Sequence, residues 1–205
     1  MMYHIIAIER EYASGGNEIG KKLAKELGFQ FCDHSILVEA AKRLKIPSIY
    51  IEDLEETSTG SLIFNLSQTA LGGIGKNSND MPLADRLFLE ERKIIEEIVE
   101  KGNCVIVGRC AGSILKDRKD CLHVFIHASK EYRAIEHEHI NPKEAEEMLK
   151  KIDKRRSHFY HTHSDWVWGD KKYSNIILDS GVLGPDTCIQ LLLQAVNGLS
   201  IKRPF

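Results

Sequence analysis

Polar residues suited to phosphate chemistry occur at four places in this chain. Ser14, Gly15 and Gly16 form a turn of small residues, and Asp33 and Arg109 each follow a short apolar segment. A basic stretch, KKIDKRR, lies at residues 150–156. Phosphoryl transfer needs donors that hold phosphates, a carboxylate for magnesium or the acceptor, and cations that neutralise negative charge. The inventory therefore predicts an enzyme that transfers phosphoryl groups.

Each of these features also has a purely structural interpretation. The turn can precede a helix simply with Ser14 or Asn17 as its N-cap. Arg109 can pair with a carboxylate, Asp33 can cap the next helix, and a Lys/Arg run can be a solvated helix face. The order of these residues along one predicted sheet edge is what favours a phosphate site.

A predicted βαβ unit positions the turn. Residues 5–8 are a β-branched apolar run typical of a buried strand. Apolar residues then recur at helical spacing over 17–27, and residues 29–33 form a second strand pattern. The first turn of such a helix has unpaired N–H groups aimed at the loop, which makes it an anion site.

Three further strands are predicted at 104–108, 122–127 and 173–179, and helical patterns separate them. This alternation predicts an α/β fold, with a five-stranded parallel sheet and helices on both faces in three layers. Ligands of such sheets bind at the carboxyl ends of the strands. Residues 47–80 fit neither pattern, so they are interpreted as a mobile insertion that covers a substrate or as a disordered excursion.

Length and composition are those of an ordinary globular protein. At 205 residues the chain can bury one core, or one core and a small mobile subdomain. The net charge is −2 with both signs interspersed, so neither nucleic acid nor a membrane surface is an expected partner. No apolar run reaches the ~18 residues of a membrane span, and no signal peptide precedes the first strand. With five cysteines and no CxxC spacing, we expect a cytoplasmic protein with reduced thiols.

One competing constellation is the group His158, His161 and His163 beside Trp166 and Trp168. A zinc site is one interpretation, but no cysteine or acid stands at metal-ligand spacing. A place in a mobile lid or on a plain surface is the alternative. The tryptophans are expected to pack, with stacking on a base as the other role for Trp166.

Three segments resemble the cytidylate kinase-like proteins, a branch of the nucleoside monophosphate kinases: IEREYASGGNEIGKKLAKELGFQFCD, VIVGRCAGSIL, and DKRRSHFY with NIILDSGVLG. The resemblance implies a single P-loop kinase-like domain over residues 1–205. It further implies an ATP cradle, a helical substrate-binding insertion at 47–80 and lid helices over roughly 129–168. The implied cofactors are ATP and Mg²⁺, and the implied partner is a small-molecule nucleotide.

The resemblance also assigns roles by position. The ATP cradle falls on five consecutive residues, Ser14, Gly15, Gly16, Asn17 and Glu18. Asp33 falls on the acid that ends the second strand, and Arg109 on the arginine that meets the acceptor phosphate. Asp153 and Arg156 resemble the Asp-x-x-Arg of the lid helix, and Arg86 aligns loosely with another substrate arginine.

The chain departs from the usual P-loop at several positions. The lysine falls on Gly16, the magnesium-binding Ser/Thr on Glu18, and the acid expected after the third strand is Cys110. Another cation must then neutralise the phosphates, and Arg10 at the start of the loop is the predicted substitute. Asp33 or Glu18 would hold magnesium, directly or through water.

We therefore expect ATP-dependent phosphoryl transfer to a small acceptor, with a nucleoside monophosphate such as CMP as the first candidate. Asp33 would order magnesium or the acceptor, and Arg155 and Arg156 would close over the γ-phosphate. The alternative is a nucleotide-binding sensor or scaffold that has lost catalysis, which the missing lysine favours. The sequence does not define the oligomer, and a homodimer is one state that it allows.

Overall fold

The computed structural model describes residues 3–47, 81–135 and 141–198. The chain divides into two compact units, one formed by residues 1–33 and 99–205 and the other by residues 34–98. Except for residue 47, the predicted insertion at 47–80 lies outside the described residues, as do residues 136–140 of the predicted lid. The insertion and the lid therefore stay predictions.

The first unit is built on a sheet of five parallel strands: β1 (Ile5–Arg10), β2 (Gln30–Cys32), β3 (Cys104–Val107), β4 (Cys121–His127) and β5 (Ile176–Asp179). Their spatial order is β2-β3-β1-β4-β5, so β1 is central and pairs with both β3 and β4. The connection after β1 leads to β2 at one edge of the sheet, whereas the connection after β3 leads to β4 on the other side of β1. Such a switch point opens a crevice at the carboxyl ends of the strands, where ligands bind.

The described helices are, in chain order, α1 (Gly16–Leu27), α2 (Ser35–Arg43), α3 (Leu83–Lys101), α4 (Ala111–Ile114), α5 (Lys130–Ile135), α6 (Pro142–His163), α7 (Ser180–Leu183) and α8 (Pro185–Val196). A 3₁₀ turn covers Lys171–Tyr173. Within the described residues, no helix is long and apolar enough to cross a membrane.

One face of the sheet packs under α1 and α8. The helices bury apolar residues at a spacing of three or four, such as Ile19 and Leu23 of α1 and Leu192 of α8, against Ile6 and Ile8 of β1. Burying one such side chain stabilises the fold by about 1.5–3 kcal/mol. This layer fixes the first turn of α1 beside the end of β1.

The opposite face of the central strands carries alternate residues, because successive side chains of a strand point to opposite sides. Ala7 and Glu9 of β1 lie on this face with His123 and Phe125 of β4. Helix α4, the end of α6 and residues 166–174 cover them. An apolar strand run thus contains one carboxylate, Glu9, that is turned toward the interior.

The predicted α/β class, with five parallel strands and helices on both faces, is confirmed. Asn141, followed by Pro142, is the N-cap of α6, since its side chain accepts from the N–H groups of Lys143 and Glu144. The fifth strand begins at Ile176 rather than at residue 173, because Asp170 accepts from the Lys172 N–H and starts the 3₁₀ turn. All five cysteines are free and buried, as reduced thiols packed in a core would be.

In the described part of the second unit, an ion-pair cluster links α2 to α3. Arg43 donates to Glu97 through both terminal nitrogens at 2.8 Å and also contacts Glu39 and Glu90. Arg43, Glu39 and Glu97 are partly exposed, so water screens these ion pairs and the cluster contributes modestly to stability. Its geometry indicates a structural role.

Candidate active site

The loop between β1 and α1 leaves the N-terminus of α1 open. Gly15 is the N-cap in a left-handed conformation, with φ of 72°, and no side chain caps the helix. Among the described residues, no atom lies within 4 Å of a Cβ built on Gly15, so none of them covers the loop at that position. The first-turn N–H groups lack acceptors within the helix and can bind an anion. Neither Ser14 nor Asn17 acts as the cap.

Ser14 anchors the loop from below. Its hydroxyl is buried and lies 2.9 Å from the Glu11 carbonyl and 3.3 Å from the Ile126 carbonyl. The hydroxyl of Ser180, at the end of β5, donates to the Ser14 carbonyl at 2.6 Å and to the His127 carbonyl at 3.0 Å. The turn is therefore fixed through hydrogen bonds beneath its apex, and the Ser14 N–H also points to the Glu11 carbonyl, at 3.4 Å.

A buried arginine that the sequence did not single out holds the side of the loop. Arg133 of α5 is 4% exposed, and its Nη1 donates to the Tyr12 carbonyl at 3.0 Å and to Asp153 Oδ2 at 2.5 Å. Its Nε lies 3.4 Å from Glu11 Oε2. Asp153 also accepts from the Tyr12 N–H through Oδ1, at 2.7 Å. Both Asp153 oxygens therefore hold the loop, which favours a positioning role over the predicted substrate contact.

Gly16, at the position of the P-loop lysine, has no room for a side chain. A Cβ there would lie 2.6 Å from the Arg10 Cβ and 3.0 Å from its Cγ. The Arg10 side chain continues toward Gly108, where a Cβ would collide with its guanidinium. The stem of Arg10 thus fills the space that a side chain at position 16 would need. The guanidinium of Arg10 itself lies against Gly108, just past the end of β3.

Two more arginines lie near the end of β1. Arg156 of α6 donates from Nη1 to the Arg10 carbonyl at 3.1 Å, and its guanidinium carbon lies 5.5 Å from the Tyr12 ring centroid. Burial lowers the pKa of Arg156, and the charge of Arg109 acts in the same direction, whereas Asp153 and others oppose it. Arg109 is therefore close to Arg156, and the site gathers positive charge.

The loop that carries Arg109 has an unusual backbone. Gly108, Arg109 and Cys110 follow one another with φ values of 78°, 58° and 55°. Side chains with a Cβ rarely adopt this left-handed conformation, and such residues cluster at functional sites. Cys110 is 1% exposed and lies below the loop surface.

Glu9, the residue before Arg10, is an acidic group of this cluster and was not among the predicted site residues. Burial raises the pKa of Glu9 from 4.5 to about 7. Four neighbouring groups act in the opposite direction: Arg10, Arg156, the indole N–H of Trp168, and Arg109. The signal in the sequence was a carboxylate inside an apolar strand that is buried on both faces.

Asp33 lies just past the end of β2, where Asn17 Nδ2 of the first turn of α1 reaches its Oδ2 at 3.4 Å. In the P-loop pattern the hydroxyl residue directly follows the lysine, so its counterpart here is Asn17 rather than Glu18. No group of three potential metal-ligating side chains occurs among the described residues. Mg²⁺ at phosphate sites is commonly held by one or two carboxylates plus phosphate oxygens, and Asp33 fits that need.

Three other predicted residues make no contact with this cluster that the structure defines. Arg86 is exposed in the second unit, and its role stays a prediction. Arg155 precedes Arg156 on α6 and is partly exposed. Trp166 stacks on Tyr173, with centroids 4.8 Å apart, which agrees with the expected packing role.

Solved structures of similar shape identify the fold. A crystal structure of an uncharacterized protein from Eubacterium ventriosum has a TM-score of 0.69 and 26% identity, covering 95% of this chain and 98% of that chain. Shikimate kinase from Acinetobacter baumannii, in complex with shikimate, has a TM-score of 0.54 and 14% identity, covering 98% and 96%. Shikimate kinase from Bacteroides thetaiotaomicron has the same score and identity, covering 97% and 100%.

These likenesses, the strand order and the glycine turn before α1 define the fold of the P-loop kinases. The model of the cytidylate kinase-like family matches residues 5–182. The chain therefore belongs to the cytidylate kinase-like family, as its sequence motifs predicted. Among curated proteins, no significant match was found.

Proposed function

We propose that the protein transfers the γ-phosphoryl group of ATP to a small acceptor, with a nucleoside monophosphate such as CMP as the first candidate. One observation carries the proposal: Arg10, Arg109 and Arg156 gather beside the uncapped N-terminus of α1. Three guanidinium groups and a helix N-terminus suit several phosphate groups held together. Family membership supports the same class of reaction.

The glycine turn would hold the phosphates of the nucleotide through backbone N–H groups at the start of α1. Arg10 would neutralise them in place of the P-loop lysine. Asp33, with Asn17 beside it, would hold Mg²⁺ together with phosphate oxygens. The ion, when bound, supplies neutralisation of phosphate charge.

Arg109 and Arg156 would hold the acceptor and the group in transfer, with Arg155 beside them on α6. An acceptor oxygen forms a bond to the γ-phosphorus while the bond from that phosphorus to the β–γ bridging oxygen breaks, and ADP leaves with the electron pair. A monophosphate acceptor is largely ionised at pH 7, since its second pKa is about 6. No general base on the protein is then needed.

The direct test incubates the purified protein with Mg-ATP and a panel of nucleoside monophosphates and measures acceptor-dependent formation of ADP. Arg109→Met is expected to lower kcat/KM by about 10²–10³-fold, as loss of one charge-stabilising donor does. Arg92→Met, at a half-exposed side chain of α3, is the matched control and should leave the rate unchanged. Absence of turnover on every acceptor, with ATP still bound, would reject the enzyme.

A second experiment tests whether Arg10 takes the place of the P-loop lysine that is absent at position 16. Gly16→Lys alone should impair the protein, because the new side chain meets the stem of Arg10. Arg10→Gly alone removes the cation and should abolish most activity. The double variant Arg10→Gly/Gly16→Lys restores the G-x-x-x-x-G-K spacing and should recover activity relative to both single variants. Full activity of Arg10→Gly by itself would contradict the role given to Arg10.

A nucleotide-binding sensor that has lost catalysis is the second candidate, and the absence of a side chain at Gly16 favours it. Calorimetry with ATP and a non-hydrolysable analogue separates the two functions. Nucleotide binding that is indifferent to magnesium, with no phosphoryl transfer even by the double variant, would favour the sensor.

A further inference from the structure

Tyr12 lies in the β1–α1 loop, just past the end of β1, and residues of α5 and α6 hold its backbone from both sides. Its N–H donates to Asp153 Oδ1 of α6 at 2.7 Å. Its carbonyl accepts from Arg133 Nη1 of α5 at 3.0 Å. These two hydrogen bonds fix the backbone of Tyr12 and therefore the point from which its ring extends.

The ring of Tyr12 faces Arg156. The guanidinium carbon of Arg156 lies 5.5 Å from the ring centroid, which is within the range of a cation–π contact. Asp153 and Arg156 are three residues apart on α6, so they lie on the same face of that helix. Helix α6 therefore contacts Tyr12 twice, through the backbone N–H and through the ring.

The surroundings of Arg156 explain why its side chain needs support. Burial lowers the pKa of Arg156, and the nearby charge of Arg109 acts in the same direction, so both factors disfavour the cation at this place. An arginine has a long, flexible stem that can turn its charged end toward water. Nη1 of Arg156 donates to the Arg10 carbonyl at 3.1 Å. That bond fixes one nitrogen of the guanidinium, and a second contact is needed to set the plane of the group.

An aromatic ring can supply this second contact without occupying hydrogen-bond donors. It attracts a cation through the negative face of its π-system. A carboxylate in the same place would accept two N–H groups in a bidentate pair. A guanidinium has five N–H groups, and among the described residues the Arg10 carbonyl is the one hydrogen-bond acceptor of Arg156. Donors therefore remain for phosphate oxygens.

We propose that Tyr12 is a positioning residue for phosphoryl transfer, because its ring holds the plane of Arg156 so that the remaining N–H groups face the phosphate site. The inference rests on the proposed function, which gives Arg156 a role at the group in transfer. Tyr12 acts through Arg156 and not on the substrate. The ring carries this role rather than the hydroxyl group, so phenylalanine should serve at position 12 and leucine should not.

The orientation of Arg156 is measured first, in the full-length protein without any substrate. NMR of the ¹⁵N-labelled protein records the Nε–H resonances of the arginines, and Arg156→Lys identifies one of them by its disappearance. Tyr12→Leu should move the Arg156 resonance toward that of Arg92, whose side chain is half-exposed. Tyr12→Phe should leave it near its wild-type position, since the ring is retained.

Kinetics then tests the consequence for transfer. Tyr12→Leu should lower kcat by about tenfold, because a misplaced catalytic group costs up to about 10²-fold. The KM for ATP should change by less than about twofold, since an interaction made only in the transition state lowers kcat and not ground-state binding. Tyr12→Phe should retain the wild-type kcat. Added to Arg156→Met, Tyr12→Leu should cause no further loss, because residues that act as a unit are not additive.

Tyr3→Leu is the matched control. Tyr3 is also a partly buried tyrosine, but it lies beyond the other end of β1 and packs against the core. The control should keep the wild-type kcat and the wild-type Arg156 resonance. Thermal unfolding checks that each variant folds.

The proposal and the kinase can fail separately. An unchanged Arg156 resonance or an unchanged kcat in folded Tyr12→Leu would overturn the proposal, as would an equal loss of kcat in Tyr12→Phe. A further loss when Tyr12→Leu is added to Arg156→Met would overturn it too, while the kinase stands. If the wild type transfers no phosphoryl group but Tyr12→Leu moves the Arg156 resonance, the kinase is rejected and the positioning of Arg156 by Tyr12 stands.

Discussion

Two polar regions flank the end of β1, and they differ in how their polar groups are satisfied. On the side of the β1–α1 loop, Arg133, Asp153, Ser14 and Ser180 each bind named backbone or side-chain partners, although Arg133 Nε, 3.4 Å from Glu11 Oε2, makes no hydrogen bond. On the opposite face of the sheet, Glu9 Oε1, His123 Nδ1 and Trp168 Nε1 are buried without a hydrogen-bond partner. Burial also raises the pKa of Glu9.

The difference separates buried groups that stabilise the fold from buried groups that lower its stability. A buried polar group whose hydrogen bonds are all made within the protein stabilises one geometry and has no free donor or acceptor. A buried group that spends none lowers stability until something binds. Alterations on the loop side are therefore expected to destabilise the fold, whereas removal of the Glu9 carboxylate is expected to change stability with pH.

Removing the buried arginine should give the largest effect. Arg133→Met leaves the Asp153 carboxylate without its cation and is expected to lower the free energy of unfolding by about 3–5 kcal/mol. Urea unfolding measures it. Arg92→Met, at an exposed i,i+4 pair, should cost less than about 1 kcal/mol. Equal losses of unfolding free energy in the two variants would show that Arg133 stabilises the loop no more than an exposed arginine does.

Glu9→Gln should change stability in a pH-dependent way. The folded-state pKa of Glu9 is raised from 4.5 to about 7, so the folded protein binds more protons and loses stability as pH rises between those values. The shift corresponds to about 3 kcal/mol. Relative to wild type, the variant should therefore gain up to about that much at pH 8 compared with pH 4, measured by urea unfolding.

If the free energies of unfolding of Glu9→Gln and wild type differ by the same amount from pH 4 to pH 8, the Glu9 carboxylate is solvated. Its pKa is then not raised by burial. Asp165→Asn is the control at an exposed carboxylate and should leave the pH profile of unfolding as it is in wild type.

Ser180→Ala should give the smallest effect, about 1–2 kcal/mol, because it deprives the Ser14 and His127 carbonyls of a buried donor. Hydrogen exchange of the amides at residues 11–15 should accelerate at the same time. The control is Thr162→Ala, whose hydroxyl donates to the His158 carbonyl on an exposed helix face. If both hydroxyl deletions act alike, the loop is not held from beneath.

Local patterns were sufficient to predict the sheet and most of the helices. The β-branched runs gave the strands, and Asn141 with Pro142 marked the start of α6. The family followed from short motifs around Gly16 and Arg109. These are properties of neighbouring residues, which is why they can be read without coordinates.

The rest depends on contacts between distant residues. Arg133 meets Tyr12 across 121 positions, and nothing in its local sequence sets it apart from other helix-borne arginines. The steric exclusion between Arg10 and position 16 arises only once β1 and α1 are packed. Glu9 was within reach, because alternation along a strand buried on both faces places every second residue in the interior.

In the bend formed by Gly108, Arg109 and Cys110, backbone strain and the charged side chain of Arg109 occur on adjacent residues. Each of the two residues with a Cβ gives up roughly 1 kcal/mol to sit there. Glycine at position 110 would relax the chain and leave the guanidinium where it is, whereas glycine at position 109 would relax it equally and delete the charge. Selection of this protein for heat resistance alone would thus favour a more stable chain without the arginine that is proposed to bind phosphate.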